Sequence, residues 1–494
     1  MQFAPADPEI LARRDAIIAD LKALLPGAIV HEPAGLATYD SDALAAYRQT
    51  PLACALPANK EEVSALLAYA DEQNIPIVPR GAGTSLSGGA LPRPDGIVIG
   101  LARMNRILEI DLENRCAVVE PGVTNLAVTR AVEADGFYYA PDPSSQVACT
   151  IGGNVAENSG GLHCLKYGIT TNNLLGVELA LAGGERVRLG GKAPTLGGLD
   201  LLGIVTGSEG LLGIVVEATL QLRPRPPLTR TLLVAFDEVA AAGRCVAGII
   251  GEGIIPAAME FMDRRAADAV ESYCAPGYPK AAEAILIIEV DGVDGEVRDA
   301  ATRIERIATQ CGASHVRLAA DEGERARIWA GRKAAFPATG KIAPDMLCMD
   351  GTIPRRALGA MLEQIAAMSV RYGLSFCNVF HAGDGNLHPL IVFDAMRPGE
   401  LARAEAFGAE ILRLCVRMGG VLSGEHGIGV EKRDLMGEMF GEEDLAQQAR
   451  LKCAVDPKRL FNPDKVFPTL SACVEQGHMH VSGGRLPFAN LPRL

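Results

Sequence analysis

Apolar residues in the first half of the chain recur at helical spacing in one segment and at strand spacing in several others. Residues 60–74 carry Val63, Leu66, Leu67 and Ala70 on one helical face, which predicts a helix. Short apolar or alternating runs bounded by glycine and proline predict strands around it. These strands are predicted at 75–78, 96–99, 115–120, 177–181, 186–189 and 214–222, with a hairpin turn at Gly183 and Gly184.

A second pattern begins after residues 223–227, Arg-Pro-Arg-Pro-Pro, which we interpret as a stiff boundary that few contacts cross. The order of elements beyond it is strand, helix, strand, strand, helix and strand, which is typical of a ferredoxin-like arrangement. These elements are predicted at 232–236, 238–251, 258–262, 285–290, 296–310 and 315–318. Two more helices are predicted at 354–372 and 401–418, and two more strands at 375–380 and 387–393.

The length of 494 residues is too great for one hydrophobic core, so we expect two or three domains. A content of 48% hydrophobic residues with 54 glycines and 30 prolines is typical of a turn-rich globular enzyme. The net charge of -13, without a basic stripe, argues against nucleic acid as a partner.

The twelve cysteines are scattered singly and no Cys-x-x-Cys occurs, so we expect no iron–sulfur cluster within this chain. The first residues lack a basic and apolar signal segment, and no run of about 18 apolar residues follows. We therefore expect a cytoplasmic, reduced protein whose contact with the inner membrane is made only through partners.

Three glycine-rich segments suggest a site for a pyrophosphate. The first is residues 79–89, Pro-Arg-Gly-Ala-Gly-Thr-Ser-Leu-Ser-Gly-Gly, in which glycine lets backbone N–H groups approach a diphosphate closely. Its spacing matches neither the Gly-x-Gly-x-x-Gly fingerprint nor the phosphate loop of ATPases. Residues 141–168 and 206–214 concentrate glycine, hydroxyl and amide groups in the same way. The alternative is that all three are only tight turns between strands.

Three imidazoles and a carboxylate lie in two glycine-containing turns of the second half. His381 and His388 flank the turn Ala-Gly-Asp-Gly at 382–385, which can bring them together at the ends of a hairpin, with Glu425 arriving from another loop. Two histidines and one carboxylate with open positions suit Zn²⁺, Fe²⁺ or Mn²⁺. The remaining histidines receive other interpretations. His31, His163 and His315 are interpreted as structural, and the rival chelating pair His478 and His480 as surface residues.

The three glycine-rich segments, in this order, resemble the FAD-binding domain of the vanillyl-alcohol oxidase type, also called the PCMH type. From about residue 39 onward the chain is similar to the FAD-linked 2-hydroxyacid dehydrogenases of that group. Residues 329–338 (Trp-Ala-Gly-Arg-Lys-Ala-Ala-Phe-Pro-Ala) and 348–356 (Cys-Met-Asp-Gly-Thr-Ile-Pro-Arg-Arg) resemble the FAD-linked catalytic subunits of bacterial glycolate oxidases. D-lactate and D-2-hydroxyglutarate dehydrogenases share the same two halves.

This resemblance implies an α+β protein in four parts. They are an N-terminal helical segment (1–50), a PCMH-type FAD-binding domain (51–226), a ferredoxin-like α+β substrate or cap domain (227–420) and a C-terminal segment that packs back on the FAD domain (421–494).

The resemblance also implies which residues bind FAD. They are Arg80, Gly81, Ala82, Gly83, Thr84, Ser85, Gly88, Pro143, Ser144, Gly152, Gly153, Asn154, Gly160, Gly161, Gly213, Ile214 and Val215, with Asn462 covering the isoalloxazine. Since residues 80–89 contain no histidine, where covalently flavinylated relatives have theirs, we expect noncovalent FAD.

The predicted reaction is the oxidation of a small 2-hydroxy acid, with glycolate or D-lactate favoured over D-2-hydroxyglutarate. The acid can chelate the metal bound by His381, His388 and Glu425, while His426 takes the hydroxyl proton as general base and the flavin takes the electrons. Arg332 is expected to bind the substrate carboxylate, the alternative being a surface helix charge, which is our interpretation of Lys333. The apolar Phe336 and Met349 leave little to receive a second carboxylate.

The family likeness further implies a second FAD-binding subunit, an iron–sulfur subunit and a quinone as final acceptor. One alternative is a stand-alone D-lactate or D-2-hydroxyglutarate dehydrogenase with the same residues. Alternatives of another class are a metallohydrolase that uses His381, His388 and Glu425 to activate water, or a non-redox, FAD-using or accessory flavin-binding protein.

Overall fold

The computed structural model describes residues 3–193 and 197–468. The rival pair His478 and His480 and the end of the predicted 421–494 segment lie outside the described residues. None of the helices in the described ranges combines the length and apolar character that crossing a bilayer requires.

The first part of the chain forms two sheets. A four-stranded sheet has the order Ile29–Val30, Ala53–Ala55, Ile97–Gly100 and Ile77–Arg80, with its last three strands parallel. A five-stranded antiparallel sheet has the order Ile107–Asp111, Cys116–Val119, Ile214–Gln221, Leu174–Ala180 and Arg186–Gly190. The hairpin predicted at 177–189 is confirmed, with Val177 opposite Leu189.

The predicted helix at 60–74 is confirmed as Lys60–Gln73, and its sequence explains both ends. Asn59 accepts a hydrogen bond from the backbone N–H of Glu62 at 2.8 Å, which satisfies an unpaired donor of the first turn. Asn74 ends the helix in the left-handed conformation, at φ 53°. Val63, Leu66, Leu67 and Ala70 are buried, as the periodicity predicts.

The second part forms one seven-stranded antiparallel sheet. Its order is Ala313–Leu318, Leu228–Phe236, Ala284–Gly292, Ala258–Asp263, Ser375–His381, Pro389–Phe393 and Asp345–Cys348. The first four strands have the spatial order of a ferredoxin-like unit, as predicted. The hairpin 375–393 extends the same sheet, because Ser375–His381 pairs with Ala258–Asp263, the strand at the edge of the ferredoxin-like unit.

Helices cover these sheets and connect their strands. The remaining α-helices are Pro8–Ala12, Arg14–Leu24, Pro33–Leu36, Asn125–Val132, Ile151–Glu157, Cys164–Tyr167, Leu201–Val205, Val239–Gly251, Arg264–Cys274, Asp294–Gln310, Glu322–Lys333, Ala335–Thr339, Leu358–Tyr372, Glu400–Arg417, Met436–Met439 and Glu442–Val455. The mixture of helices with mainly antiparallel sheets confirms the α+β class. Arg264–Cys274 was not predicted, and three of its four buried residues are alanine.

The stretch 223–227 is anchored more firmly than we expected of a boundary. Arg223–Pro224 pairs with Phe137–Tyr138, and the Arg223 guanidinium donates to Asn173 Oδ1 at 3.0 Å. These contacts tie the start of the stretch to the first part of the chain, and the division of the chain at residues 50, 226 and 420 stays a prediction.

The end of the described chain returns to the first sheet. Phe461 forms a bridge with Ile77, and the backbone N–H of Asn462 donates to the Ile77 carbonyl at 2.7 Å. The buried Lys452 ammonium donates to the carbonyl of Leu211 and to that of Phe461 at 2.8 Å. This return places the 423–462 region beside the glycine-rich loops.

A partly buried ionic network joins the two parts of the chain through His163. Its Nδ1 lies 2.8 Å from Asp142 Oδ2, and its Nε2 lies 3.4 Å from Glu289 Oε1 on the seven-stranded sheet. Burial alone lowers the pKa of His163, but Asp142 and Glu289 outweigh it and raise that pKa to about 10. The charged imidazole therefore stabilises the folded state.

Replacing His163 with glutamine is expected to lower the free energy of unfolding by on the order of 1–3 kcal/mol below pH 6. Because the folded pKa of His163 lies above its unfolded value, the ionic contribution is complete below pH 6.5 and is lost as pH rises toward 10. Urea unfolding of both proteins from pH 6 to pH 10 measures this difference. A difference that does not shrink with rising pH would contradict it.

Candidate functional site

A cavity of about 510 Å³ lies between the glycine-rich loops and the 381–388 and 423–429 loops. A volume of this size is typical of a small-molecule or cofactor site. Of the predicted cofactor residues, the cavity is lined by Arg80, Gly81, Ala82, Gly83, Thr84, Ser85, Pro143, Ser144, Gly152, Gly153, Asn154, Gly160, Gly213, Ile214 and Val215. His388, Glu425 and His426 line the same cavity. The two groups of predicted residues thus share one space.

The glycines of the wall keep the backbone segments close together. A Cβ on Gly81 would lie 2.4 Å from Thr150 Oγ1, and one on Gly160 would lie 2.4 Å from Glu425 Oε2. Gly83 has φ +71°, a conformation that favours glycine, and the Arg80 guanidinium fills the space where its side chain would be. A side chain at these positions would have to displace Thr150, Glu425 or Arg80, so the glycines leave the wall suited to a diphosphate.

Three predicted cofactor residues do not line the cavity. A Cβ on Gly88 would lie 2.4 Å from Val430, and one on Gly161 would lie 2.5 Å from the Asp142 carbonyl carbon, so these glycines permit close packing behind the wall. The Asn462 side chain donates to the carbonyls of Gly89 at 2.9 Å and Glu209 at 2.7 Å. The Asn462 amide thus joins two loops of the cavity wall, and its covering of the cofactor stays a prediction.

Three imidazole nitrogens converge on one carboxylate oxygen. Glu425 Oε1 lies 3.1 Å from Nε2 of His381, 3.4 Å from Nε2 of His388 and 3.9 Å from Nε2 of His426. The rings of His388 and His426 are stacked, with centroids 4.8 Å apart. The sequence prediction that these four side chains meet agrees with this geometry.

The local fold accounts for this convergence. His381 ends the strand Ser375–His381 and forms a bridge with Asn386, whose backbone N–H donates to Asp384 Oδ1 at 3.0 Å. His388 then directly precedes the strand Pro389–Phe393. The tight turn brings both imidazoles to one end of the hairpin, although the second strand begins two residues later than predicted.

The residues present fit a divalent metal. His381, His388 and Glu425 each offer a ligand atom, and these atoms lie within 4.8 Å of one another. His388 Nε2 is buried and has no hydrogen-bond partner, although buried polar atoms are normally paired. Two imidazoles and one carboxylate form a donor set for Zn²⁺, Fe²⁺ or Mn²⁺. A second set, Asp350, His388 and His426, meets the same distance criterion and shares His388.

Asp350 was not recognised in the sequence and is the fully buried support of the 423–427 loop. Its carboxylate accepts hydrogen bonds from the backbone N–H of His426 at 2.9 Å and from the Lys432 ammonium at 3.0 Å. Burial raises the pKa of Asp350, but Lys432 and His426 outweigh it and hold that pKa well below its usual range. An ionised Asp350 therefore fixes the backbone that carries Glu425 and His426.

Glu260 was also missed, and it changes the interpretation of Arg332. Glu260 Oε1 lies 2.7 Å from His381 Nδ1, and its Oε2 lies 2.7 Å from Nη2 of Arg332. Arg332 is 2% exposed and is not among the residues that line the cavity, so its binding of the substrate carboxylate stays a prediction. In the structure its guanidinium compensates the charge of the Glu260 carboxylate beside His381.

The carboxylates of Glu260 and Glu425 favour one orientation of the His381 ring. Burial alone lowers the pKa of His381, but Glu260 and Glu425 outweigh it and raise that pKa well above its usual value. Burial raises the pKa of Glu425, yet His381 in particular lowers it to about 2. Contact of a ligand imidazole with a second carboxylate is the usual way in which a metal-binding histidine is held in one orientation.

Replacing Glu260 with glutamine is expected to weaken divalent metal binding by roughly 10- to 100-fold, the usual effect of losing such a carboxylate. Competition against a chromophoric chelator measures the affinity directly. The matched control is Glu283→Gln, which removes a half-exposed carboxylate paired with Arg264. Equal affinities in both variants would show that Glu260 does not orient a ligand.

His426 faces the cavity, and two residues of the first part of the chain hold its loop. Its carbonyl accepts from Ser87 Oγ at 2.9 Å, and Glu209 accepts from the N–H groups of Ile428 and Gly429, each at 2.7 Å. Burial lowers the pKa of His426 to about 4, against the opposing effect of Asp350. The ring is therefore a neutral imidazole at neutral pH, whereas the sequence suggested only its ordinary pKa.

One expectation about the cap side of the cavity is also corrected. Lys333 is exposed at the end of its helix, in line with its interpretation as a surface charge, and it also lines the cavity together with Phe336 and Pro337. Met349 is 3% exposed and packs in the hydrophobic core, so it contributes nothing to the wall. Met349 directly follows the strand Asp345–Cys348, and the sequence pattern did not resolve which way its side chain points.

Comparisons with known proteins match both halves of the chain. A family model for an FAD binding domain matches residues 51–190, and one for FAD linked oxidases, C-terminal domain, matches residues 225–466. The chain is 52% identical to the glycolate oxidase subunit GlcD of Escherichia coli, over 97% of this chain and 96% of that one. It is 35% identical to a D-lactate dehydrogenase of Archaeoglobus fulgidus, over 84% of this chain and 91% of that one.

A solved structure of p-cresol methylhydroxylase with substrate bound matches with a TM-score of 0.77 and 18% identity, over 94% of this chain and 98% of that one. At this identity the likeness shows the fold alone, and it confirms the predicted PCMH type.

Proposed function

The chain belongs to the family of FAD-linked oxidases that includes the glycolate oxidase subunit GlcD, and from this membership we propose that it oxidises glycolate to glyoxylate. FAD is held noncovalently by the glycine-rich loops, and a divalent metal by His381, His388 and Glu425. The observation that carries the proposal is that His388, Glu425 and His426 line the same cavity as those loops. A metallohydrolase would not require the glycine-rich loops and the metal-site residues to line one cavity.

Each residue of the site has a separate role in the proposed reaction. His426 presents a neutral imidazole to the cavity and accepts the hydroxyl proton of the acid at one of its ring nitrogens. Asp350 and Ser87 hold the backbone of His426, while Glu260 orients His381. The glycines at 81, 83 and 160 leave room for the cofactor and bring its cradle against Glu425.

Each bound group supplies one kind of chemistry. FAD, when bound, accepts the two electrons that leave Cα of the acid as a hydride equivalent. The metal, when bound, polarises the hydroxyl and orients the acid.

The electrons leave through partners, since we expect no iron–sulfur cluster within this chain. We propose a second FAD-binding subunit and an iron–sulfur subunit, with a quinone as final acceptor, in line with the word subunit in the name of the GlcD relative. The protein then works in the cytoplasm, at the inner membrane where those partners hold it. Full turnover of the isolated chain with a quinone would contradict this part of the proposal.

Glycolate is preferred over D-lactate because the relatives named for glycolate oxidase are more similar to this chain than those named for D-lactate dehydrogenase. Anaerobic stopped-flow mixing of the FAD-bound, metal-loaded protein with glycolate, D-lactate and D-2-hydroxyglutarate tests this order. We expect flavin bleaching to be most efficient with glycolate. Bleaching by none of the acids would exclude 2-hydroxyacid oxidation.

A further inference from the structure

Two glutamates of the cavity wall lie against the same glycine. Glu157 ends the helix Ile151–Glu157, Glu209 belongs to the glycine-rich segment 206–214, and both line the cavity. A Cβ on Gly427 would lie 2.4 Å from Glu157 Oε2 and 3.0 Å from Glu209 Oε1. Two carboxyl groups that share so small a space repel each other strongly when both are ionised. One of the pair therefore keeps a proton at neutral pH.

The hydrogen bonds show which of the two is neutral. Glu209 accepts from the backbone N–H groups of Ile428 and Gly429, one at each carboxylate oxygen and each at 2.7 Å. Such bonds stabilise the ionised form, and they oppose the effect of burial on the pKa of Glu209. Glu157 Oε2, in contrast, is buried and has no hydrogen-bond partner within the described part of the chain. The proton therefore belongs to Glu157.

The charged groups around Glu157 also favour its neutral form. Burial has the largest effect and raises the pKa of Glu157, and the carboxylates of Glu209, Asp42 and Asp350 raise it further. The Lys432 ammonium opposes them, but that pKa remains well above its usual value. Lys432 itself donates to Asp350 at 3.0 Å, so its charge is already compensated.

Glu157 lies at the end of the cavity where the reaction is proposed. Gly427 directly follows His426 in the chain. Gly160, three residues after Glu157, brings the same wall against Glu425, since a Cβ there would lie 2.4 Å from Glu425 Oε2. For the electrons of the acid to pass to FAD, the flavin ring has to lie at this end of the cavity. The nitrogens and carbonyl oxygens of that ring can accept hydrogen bonds.

We propose that the neutral carboxyl group of Glu157 donates a hydrogen bond to the flavin ring of FAD and thereby favours the reduced cofactor. This inference rests on the proposed function, which places the ring beside His426. Reduction adds negative charge to the ring, so a donor in contact with it binds more strongly in the reduced state. An ionised carboxylate at the same place would have the opposite effect, because it would repel that charge.

The test measures the reduction potential of bound FAD in the wild type, in Glu157→Leu and in Glu157→Gln. The flavin is titrated anaerobically with a chemical reductant and a reference dye, so no hydroxy acid is needed. Leucine removes the donor, whereas glutamine keeps a neutral N–H donor at nearly the same length. The matched control is Glu113→Gln, at an exposed glutamate that does not line the cavity.

For Glu157→Leu we expect the preference of the protein for reduced over oxidised FAD to fall roughly 10- to 100-fold, the usual value of a hydrogen bond to a charged group. This fall corresponds to a reduction potential lower by about 30–60 mV. Glu157→Gln should keep most of the preference, and Glu113→Gln should match the wild type. A potential that rises in both variants of Glu157 would mean an ionised carboxylate and would overturn the inference. A fall of less than about threefold in Glu157→Leu would exclude the contact with the ring.

Infrared difference spectra give a second readout, for which the conservative variant is sufficient. The reduced-minus-oxidised spectrum of the wild type should contain the C=O stretch of a protonated carboxyl group, changed in frequency by reduction of the flavin. This band should be missing from the spectrum of Glu157→Gln. A band that persists in Glu157→Gln, or a wild-type spectrum without one, would overturn the inference even if Glu157→Leu did not fold.

The proposed function and this inference fail in different ways. A wild-type flavin that the chemical reductant reduces, but that no 2-hydroxy acid reduces, would refute the proposed function. A wild-type flavin that glycolate reduces, together with an unchanged potential in Glu157→Leu, would refute the role of Glu157 alone.

Discussion

Replacing His426 with asparagine is expected to slow flavin reduction by glycolate by roughly 10²- to 10⁴-fold, the usual contribution of a general base. The imidazole is the neutral, cavity-facing group next to Glu425, and its Nδ1 is buried without a hydrogen-bond partner. Asparagine keeps polarity at this position but cannot accept the proton at neutral pH. Anaerobic stopped-flow absorbance of the FAD-bound variant measures the rate.

The metal content of the same variant decides between two roles for His426. As a base, it leaves the metal bound by His381, His388 and Glu425, so the His426→Asn protein should retain its metal and its FAD. Loss of the metal would instead favour the second ligand set, with Asp350, His388 and His426. His315→Asn, at an exposed histidine, is the matched control and should reduce its flavin at the wild-type rate.

Replacing His388 with alanine is expected to remove the bound metal and to slow flavin reduction by at least about 10²-fold, because a ligand and its polarising effect are lost together. His388 belongs to both possible ligand sets, so this result does not depend on which of them is correct. Elemental analysis of the purified protein, alongside stopped-flow reduction, gives both quantities.

Two further treatments show whether the metal acts in the reaction. Dialysis of the wild type against a chelator should abolish flavin reduction, and adding back Zn²⁺, Fe²⁺ or Mn²⁺ should restore it and identify the ion. The His388→Ala protein should not recover under the same conditions. Undiminished reduction in a metal-free wild type would refute the metal's role while leaving the role of His426 open.

The sequence predicted those features that depend on the types of residues lying near one another in the chain. Glycines at 81, 83 and 160 could be predicted because a cradle excludes side chains, and His381 with His388 because a glycine turn joins them. Helix Lys60–Gln73 followed from its buried periodicity and its asparagine cap. The spatial order of four strands followed from their sequence order, since few topologies connect them.

The sequence did not reveal contacts between distant segments. Glu260 and Asp350 are single acidic residues in apolar strands or loops, and only the folded chain brings them to His381 and His426. Arg332 and Lys333 are adjacent, yet one points into the sheet and the other lines the cavity. The sequence did hold one signal for Glu260, because a charged residue within the otherwise apolar strand Ala258–Asp263 is unusual.

We propose that the metal ligands and the flavin cradle serve one reaction in one cavity. Anomalous diffraction from crystals of the FAD-bound protein, recorded at the absorption edge of the bound metal, tests it most directly. We expect a single anomalous peak within roughly 2.0–2.3 Å of His381, His388 and Glu425, facing a flavin ring enclosed by the glycine-rich loops. A peak at other residues, or a flavin whose ring lies away from His426, would contradict the account.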